Sequence, residues 1–408
     1  MIARGHFKNV QKEWKLKKIA LAIENFDRFG GGAESYAVEL SETLIQEGWE
    51  VHFFGERWGG EPKAAVFHPI RIPEYLPSWL KILLFALKHR RLIRREHFDV
   101  VLGFGNTICM NVYQSHGGVH WFSTFRKVYC EHNPVLRFLK RLIILLSLKH
   151  HVRNWIESAP FRTTPVPRII AISDMIRRDY VKYYQMHEEN IDLVYNGIDP
   201  ERFNLESLHK YRQKVRDKFE ISSNEVVFVF VSYDLKKKGI EPLVKAAGIL
   251  KQSSMLPFRV LVVGGYPYPS LKRMVQRLGL AETIIFAGPS KAVQEIYAAS
   301  DVFVLPTYYD ACSLVVLEAM LCGLPAITTE YNGIAGILSN EKNSYVISHP
   351  PDCAELAARM RDLLSKEKRS AMSLEALVLG RLYTKSRNHN AMLKIINEVA
   401  ACCSEEKF

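Results

Sequence analysis

Two spacings of apolar residues alternate along the second half of the chain. Short apolar runs rich in β-branched and aromatic residues predict buried strands at 226–231, 259–263, 283–286, 302–305 and 325–328. Between them, helical spacing predicts helices at 241–251, 270–278, 292–299 and 314–321. Strands alternating with helices of this length favour parallel sheets covered on both faces.

The first half repeats this pattern less clearly. Strands are predicted at 18–23, 51–54, 100–104 and 169–172, with a helix at 32–47. The halves join near 196–204, so the fold class is α/β, with two facing Rossmann-like doubly wound domains and a ligand cleft at the carboxyl ends of their strands. We expect an acceptor domain at 1–195, a donor domain at 196–385, and a terminal segment at 386–408 whose helix packs back on the first domain.

Composition limits the cellular context. A length of 408 residues predicts two or three domains, and 48% apolar with 24% charged residues indicates a folded globular protein. Seven scattered cysteines favour a reducing cytoplasm, and Cys130 with His132 lacks a second ligand pair for a metal site. The apolar run 19–23 is too short for a secretory signal core, and no run is long enough for a membrane span.

The formal net charge of +12 favours anionic partners, and the basic residues cluster in the first half. The stretches 79–95 and 137–153 each combine an apolar helical face with lysines and arginines, as in a helix lying on an anionic membrane. The alternative is a helix that covers the first sheet. Core packing is favoured for 79–95, and membrane contact for 137–153. No nucleic-acid recognition motif is present, so nucleic acid is not expected as a partner.

Two loops after predicted strands are suited to phosphate. Gly30-Gly31-Gly32 precedes a helix start, where backbone amides bind anions, although a merely flexible loop would look the same. The segment 233–239 (YDLKKKG) places lysines where a departing nucleotide diphosphate would need positive charge. The alternative there is a solvated charge run, and the position between strand and helix favours Lys238 as functional.

Asp310 and Glu318 flank the start of a predicted helix. Amides of residues 311–314 are free of helical partners there and can hold a phosphate or sugar hydroxyl. Asp310 can reach sugar hydroxyls, or it can simply cap the helix. Glu318 can accept both hydroxyls of a ribose, and it needs a polar partner within its apolar surroundings.

These segments together resemble family 4 glycosyltransferases. The string 301–329 (DVFVLPTYYDACSLVVLEAMLCGLPAITT) is similar to their signature, and four shorter pieces agree in order: GGAE at 31–34, IAIS at 170–173, YNGID at 195–199 and KG at 238–239. The resemblance implies a retaining enzyme with the GT-B fold. Within the family, the chain looks most like bacterial lipopolysaccharide-core glucosyltransferases.

The resemblance implies a role for each matching residue. Gly31 and Gly32 would approach the donor phosphates, Lys238 would bind the diphosphate, and Asp310 and Glu318 would hold the sugar and the ribose. The full donor set is Gly31, Gly32, Lys237, Lys238, Asp310, Ala311, Cys312, Ser313, Leu314 and Glu318. The catalytic set is His116, Asp310 and Lys238.

Two assignments remain open at this point. His116 lies where the family often has a histidine near the acceptor hydroxyl, and His120 competes with it for that place. Ser232 replaces the arginine that many relatives carry six residues before the motif lysine, and we expect Lys237 to supply the second cation.

The chain contains no Asp-x-Asp, so the usual carboxylate handle for a metal-bound diphosphate is missing. We therefore expect metal-independent transfer with no cofactor, from a nucleotide sugar, first UDP-glucose and second GDP-mannose. The expected acceptor is a lipopolysaccharide-core or other membrane-associated glycan at the inner face of the plasma membrane. A nucleotide-sugar epimerase on the same fold and a non-catalytic binding protein are the rivals; the intact Lys238, Asp310 and Glu318 set argues against the second.

Overall fold

The computed structural model describes residues 17–203 and 210–405. The predicted junction at 196–204 therefore includes one residue, Asn204, outside the described part. Two parallel sheets, each flanked by helices, form two Rossmann-like halves, and this confirms the predicted fold class.

The first sheet has seven strands in the order β5-β3-β1-β6-β7-β8-β9, all parallel. Its strands are β1 (Lys18–Ala22), β3 (Glu50–Gly55), β5 (Val66–Pro69), β6 (Val100–Gly103), β7 (Val112–Ser115), β8 (Arg168–Ala171) and β9 (Ile191–Leu193). A separate parallel pair is formed by β2 (Asn25–Phe26) and β4 (Arg57–Trp58). The helices of this half are α1 (Gly32–Gln46), α2 (Ser78–Ile93), α3 (His120–Val128), α4 (Pro134–Leu146), α5 (Leu148–Ser158) and α6 (Asp174–Tyr184).

The second sheet has six parallel strands in the order β12-β11-β10-β13-β14-β15. They are β10 (Val226–Ser232), β11 (Phe258–Gly264), β12 (Ile284–Gly288), β13 (Val302–Leu305), β14 (Ala326–Thr329) and β15 (Ser344–Ile347). The helices are α7 (Tyr211–Lys218), α8 (Ile240–Ser253), α9 (Pro269–Arg277), α10 (Val293–Ala299), α11 (Leu314–Leu321), α12 (Cys353–Asp362), α13 (Lys366–Leu382) and α14 (Lys385–Glu405). Short 3₁₀ turns lie at Pro160–Arg162, Glu188–Asn190, Glu201–Phe203 and Gly333–Ile337.

The central strands of both sheets are buried on both faces, which explains their continuous apolar sequences. In β10, Val227 to Phe230 are fully buried between helices. In β1, Ile19 to Ala22 are likewise inaccessible. The carboxyl ends of these strands carry the loops that form the site.

The last helix, α14, packs against the first half although it follows the second. Met392 and Ile396 are fully buried in one cluster with residues of β1, α1 and β3. Tyr36 Oη donates a hydrogen bond to Asn388 Oδ1 at 2.9 Å, and Lys385 pairs with Glu39 at 3.0 Å.

Helices α2 and α4 lie differently, although their sequences look alike. Helix α2 buries Phe85 and Ile93 in an apolar cluster with strand residues of the first sheet. Helix α4 buries none of its residues. Within the described residues, no helix is long and apolar enough to cross a membrane.

Candidate active site

The lysine loop after β10 is fixed against the end of β13. Gly239 has φ +85°, and a Cβ there would lie 1.9 Å from Pro306 O, so only glycine fits this close approach. Tyr308 N donates to Lys237 O at 3.1 Å. These contacts bring Lys238 next to the loop that carries Asp310.

Lys238 and Asp310 form an ion pair through Nζ and Oδ2, and both side chains are mostly buried. The loop of Asp310 is held by Asp310 N donating to Tyr331 O at 3.0 Å and by Gly333 N donating to Asp310 O at 2.7 Å. The two predicted residues are thus brought together at the carboxyl edge of the second sheet. A fixed ammonium beside a carboxylate can bind a phosphate and a sugar hydroxyl side by side.

Glu318 has the polar partner that its apolar surroundings require. Tyr297 Oη donates to Glu318 Oε2 at 3.1 Å. Burial raises the pKa of Glu318, and the charge of Arg202 opposes that rise. One carboxylate oxygen is used by Tyr297, and the other can accept from ribose hydroxyls.

Helix α11 begins at Leu314 next to these side chains. Ala311, Cys312 and Ser313 are buried in the turn before it. Ser313 Oγ is buried and has no hydrogen-bond partner among residues 17–203 and 210–405, so it does not cap the helix. An unpartnered hydroxyl and the free amides of the first helical turn both favour an anionic or hydroxylated ligand here.

Lys237 and the glycine loop are placed differently from Lys238. Lys237 Nζ lies 2.5 Å from Asp234 Oδ2, and the side chain is half exposed. Gly31 is the residue before α1, and both it and Gly32 are exposed. A Cβ on Gly32 would meet no atom within 4 Å, so this face of the loop is open to a ligand.

The two candidate histidines lie in different surroundings. The His116 ring packs beside Tyr36 and Phe104, with centroids 4.9 and 5.4 Å away. Burial lowers the pKa of His116 to about 4, so its imidazole is neutral at pH 7. His120 begins α3, lines a cavity of the first half, and its Nε2 lies 2.9 Å from His150 Nδ1.

Comparison with known families decides what this arrangement belongs to. The profile described as "Glycosyltransferase Family 4" matches residues 30–202, and that of "Glycosyl transferases group 1" matches residues 211–376. The chain belongs to the family 4 glycosyltransferases. The matches correspond to the two halves of the molecule, so the glycosyltransferase resemblance covers both sheets.

Individual relatives are distant in sequence but similar over most of their length. The lipopolysaccharide glucosyltransferase WaaG of Escherichia coli K12 is 24% identical over 350 residues, 85% of this chain and 90% of WaaG. The N-acetyl-alpha-D-glucosaminyl L-malate synthase of Bacillus anthracis is 23% identical over 331 residues, 78% of this chain and 80% of that enzyme.

Solved structures share the fold of this glycosyltransferase. A crystal structure of WaaG, a glycosyltransferase involved in lipopolysaccharide biosynthesis, superposes with a TM-score of 0.77 at 22% identity, over 93% of this chain and 99% of WaaG. Anabaena HepE, in complex with UDP-glucose, superposes with a TM-score of 0.65 at 17% identity, over 93% and 99% of the two chains. These likenesses establish the GT-B fold.

The glycosyltransferase site also contains residues that sequence reasoning missed. Lys127 lies with its Nζ 5.0 Å from the centroid of the Tyr309 ring. Burial, with the nearby charges of Lys238 and Lys237, lowers the pKa of Lys127 to about 8. Arg126 pairs with Asp179 and stacks over Tyr331 at 4.2 Å. The sequence showed Arg126 and Lys127 only as part of a basic stretch, because their approach to the second half is a tertiary contact.

A second contact between the halves involves the segment after α3. His132 Nε2 lies 2.9 Å from Glu241 Oε2. This hydrogen bond, helped by one from Tyr268, lowers the pKa of Glu241 to about 2. His132 is therefore already partnered, in keeping with the expectation that it is not half of a metal site with Cys130.

Proposed function

We propose that this glycosyltransferase moves a hexose, with retention of configuration and without a metal ion, from a nucleotide sugar to a membrane-associated glycan. The first donor is UDP-glucose, and the first acceptor class is the lipopolysaccharide core. The observation that carries the proposal is the ion pair of Lys238 and Asp310 beside the buried start of α11.

The pair suits the chemistry of nucleotide departure. As the bond between sugar C1 and the β-phosphate oxygen breaks, negative charge develops on the diphosphate, and the Lys238 ammonium stabilises it. Asp310 is then positioned to bind donor sugar hydroxyls, and Glu318 the ribose. The acceptor oxygen bonds to C1 on the face that the phosphate leaves, and its proton passes to the departing phosphate oxygen. No carboxylate-held metal is needed in this scheme, because lysines and helix amides carry the charge.

Helix α4 supports the membrane part of the proposal. Its apolar side chains point to solvent: Phe138 is 60%, Ile143 67% and Leu146 84% exposed. A contiguous apolar face on one helix is typical of a surface that contacts lipid or protein. Its basic residues turn inward, since Arg141 lies over the Tyr129 ring at 5.1 Å and Lys140 pairs with Glu131 at 2.7 Å. We therefore assign the apolar face, more than the charges of 137–153, to the membrane.

Nucleotide binding is the experiment that tests this proposal. Thermal unfolding is measured with UDP, GDP and ADP and their hexose conjugates, with EDTA present throughout. A ligand that binds only the native state raises the midpoint in proportion to its affinity. We expect the largest shift with UDP-glucose and UDP, and none of comparable size with GDP or ADP.

A matched pair of variants makes the experiment specific. Glu318→Ala removes the carboxylate assigned to the ribose, and it should abolish most of the UDP shift. Glu375→Ala removes an exposed carboxylate on α13 in the same half and should leave the shift intact. A wild-type protein that shows no shift with any nucleotide would contradict the donor site.

A further inference from the structure

A cavity of about 270 Å³ lies in the first half, at the carboxyl ends of β6 and β7. Residues 104–106, after β6, and Gly117 and Gly118, after β7, form one wall. Helices α3 and α5 form the other, with Lys127, Lys149 and Arg153. The cavity opens beside the donor site, because Gly117 O accepts a hydrogen bond from Tyr309, the neighbour of Asp310.

The cations of this cavity lack counterions. Among residues 17–203 and 210–405, no carboxylate forms an ion pair with Lys127, Lys149 or Arg153, and Arg153 Nε is buried without a hydrogen-bond partner. Burial of unneutralised charge is costly, so a fold retains it where a ligand supplies the opposite charge.

The remaining titratable groups do not cancel this charge. Glu157 accepts hydrogen bonds from His120 N and Tyr184 Oη, and burial raises its pKa to about 7, so it carries at most part of a negative charge at neutral pH. Burial lowers the pKa of His120 to about 3, and His150, Arg153, Lys127 and Lys149 lower it further. The cavity therefore has a positive field and neutral imidazoles.

We propose that this cavity holds a phosphate group of the acceptor substrate, through Lys149 and Arg153, with Lys127 between it and the donor diphosphate. The proposal rests on the proposed function and names its acceptor class: a phosphorylated glycan. A phosphate monoester is nearly a dianion at pH 7, which matches several cations, and the guanidinium of Arg153 suits it geometrically. Fixing that phosphate would orient a hydroxyl of the same sugar toward Tyr309 and Asp310.

Calorimetric titration of the UDP-saturated enzyme tests this assignment, because UDP occupies the donor phosphate site. The titrants, at constant ionic strength, are inorganic phosphate, glucose 6-phosphate and glucose. We expect saturable binding of phosphate and of glucose 6-phosphate, and at least about tenfold weaker binding of glucose. Equal binding of glucose and its phosphate, or no saturable binding of either phosphate, would overturn the proposal.

Two double variants complete the design. Lys149→Gln with Arg153→Gln should weaken glucose 6-phosphate binding at least about tenfold, while UDP affinity stays unchanged. Arg91→Gln with Arg94→Gln, on the exposed face near the end of α2, removes the same charge elsewhere and should change neither. Unaltered phosphate binding in the first double variant would overturn the cavity assignment. Failure of UDP to bind wild type would instead contradict the donor site, so the two proposals fail separately.

Discussion

Tyr309 of the second half donates a hydrogen bond from its Oη to Gly117 O of the first half, over 2.9 Å. Tyr309 is buried and is adjacent in sequence to Asp310. The bond therefore links the loop that is assigned to the donor sugar with the loop that borders the acceptor cavity. The relative position of donor and acceptor depends on this contact.

A methyl group at Gly118 should disturb that contact. Gly118 has φ +71°, and a Cβ there would lie 2.1 Å from Tyr309 Oη. Gly118→Ala must displace Tyr309 and strain the loop, so we expect kcat/KM for transfer to fall at least about tenfold. Gly117→Ala is the matched control, because its Cβ would meet nothing within 4 Å. Equal activity of the two variants would contradict the role of Tyr309.

Removal of the Lys238 ammonium should affect the chemical step most. Lys238→Met keeps the length of the side chain but leaves Asp310 without its ion-pair partner and the diphosphate without its cation. We expect kcat to fall about 100-fold or more. Steady-state kinetics of donor turnover measure the effect, with Lys342→Met, an exposed lysine of the same half, as the control. A loss confined to KM would show that Lys238 binds donor without stabilising the leaving group.

The buried His89 predicts how stability depends on pH. Burial lowers its pKa from 6.5 to about 4, and neither ring nitrogen has a hydrogen-bond partner in the described chain. Below pH 6.5 the unfolded state takes up a proton that the folded state refuses, so the free energy of unfolding falls as pH falls. His89 alone should remove about 2 kcal/mol between pH 7 and pH 5.

Urea unfolding at pH 7 and pH 5 measures this contribution. His89→Leu should lose about that much less stability than wild type over the same interval. His187→Leu, at an exposed position, should behave like wild type. The interpretation fails if His89→Leu and wild type lose equal stability on acidification.

The exposed face of α4 predicts lipid binding. Ile143→Glu with Leu146→Glu places two charges on that face, and we expect cosedimentation with anionic vesicles to fall at least about fivefold. Leu374→Glu with Val378→Glu changes two exposed apolar residues of α13 in the same way and should leave vesicle binding unchanged. Equal vesicle binding by the two double variants would show that α4 is not the membrane contact.

Sequence reasoning succeeded where the signal is local. Continuous apolar runs predicted the central strands, such as β10 and β13, because parallel strands buried on both faces need them. The short edge strands β5 and β9 were missed, since each has only three or four residues, half exposed, and no such run. The terminal helix, predicted at 388–401, extends over Lys385–Glu405.

The donor site was easier to predict than the acceptor cavity. Lys238 and Asp310 belong to short motifs at strand ends, and the structure brings them into contact. Lys127 and Tyr309 carry no local signal, because their roles arise when the two halves meet across 182 positions of sequence. Glu157 looked like an ordinary helix residue, and only burial next to His120 distinguishes it.

The stereochemistry of transfer tests the central claim most directly. The enzyme is incubated with UDP-[¹³C]glucose and a lipopolysaccharide core that lacks its glucose, with EDTA present, and the new glycosidic bond is assigned by NMR. The account predicts an α-linked glucoside, formed in wild type and lost in Lys238→Met. A β-linked product, or an intact donor after prolonged incubation of an enzyme that binds UDP, would contradict it.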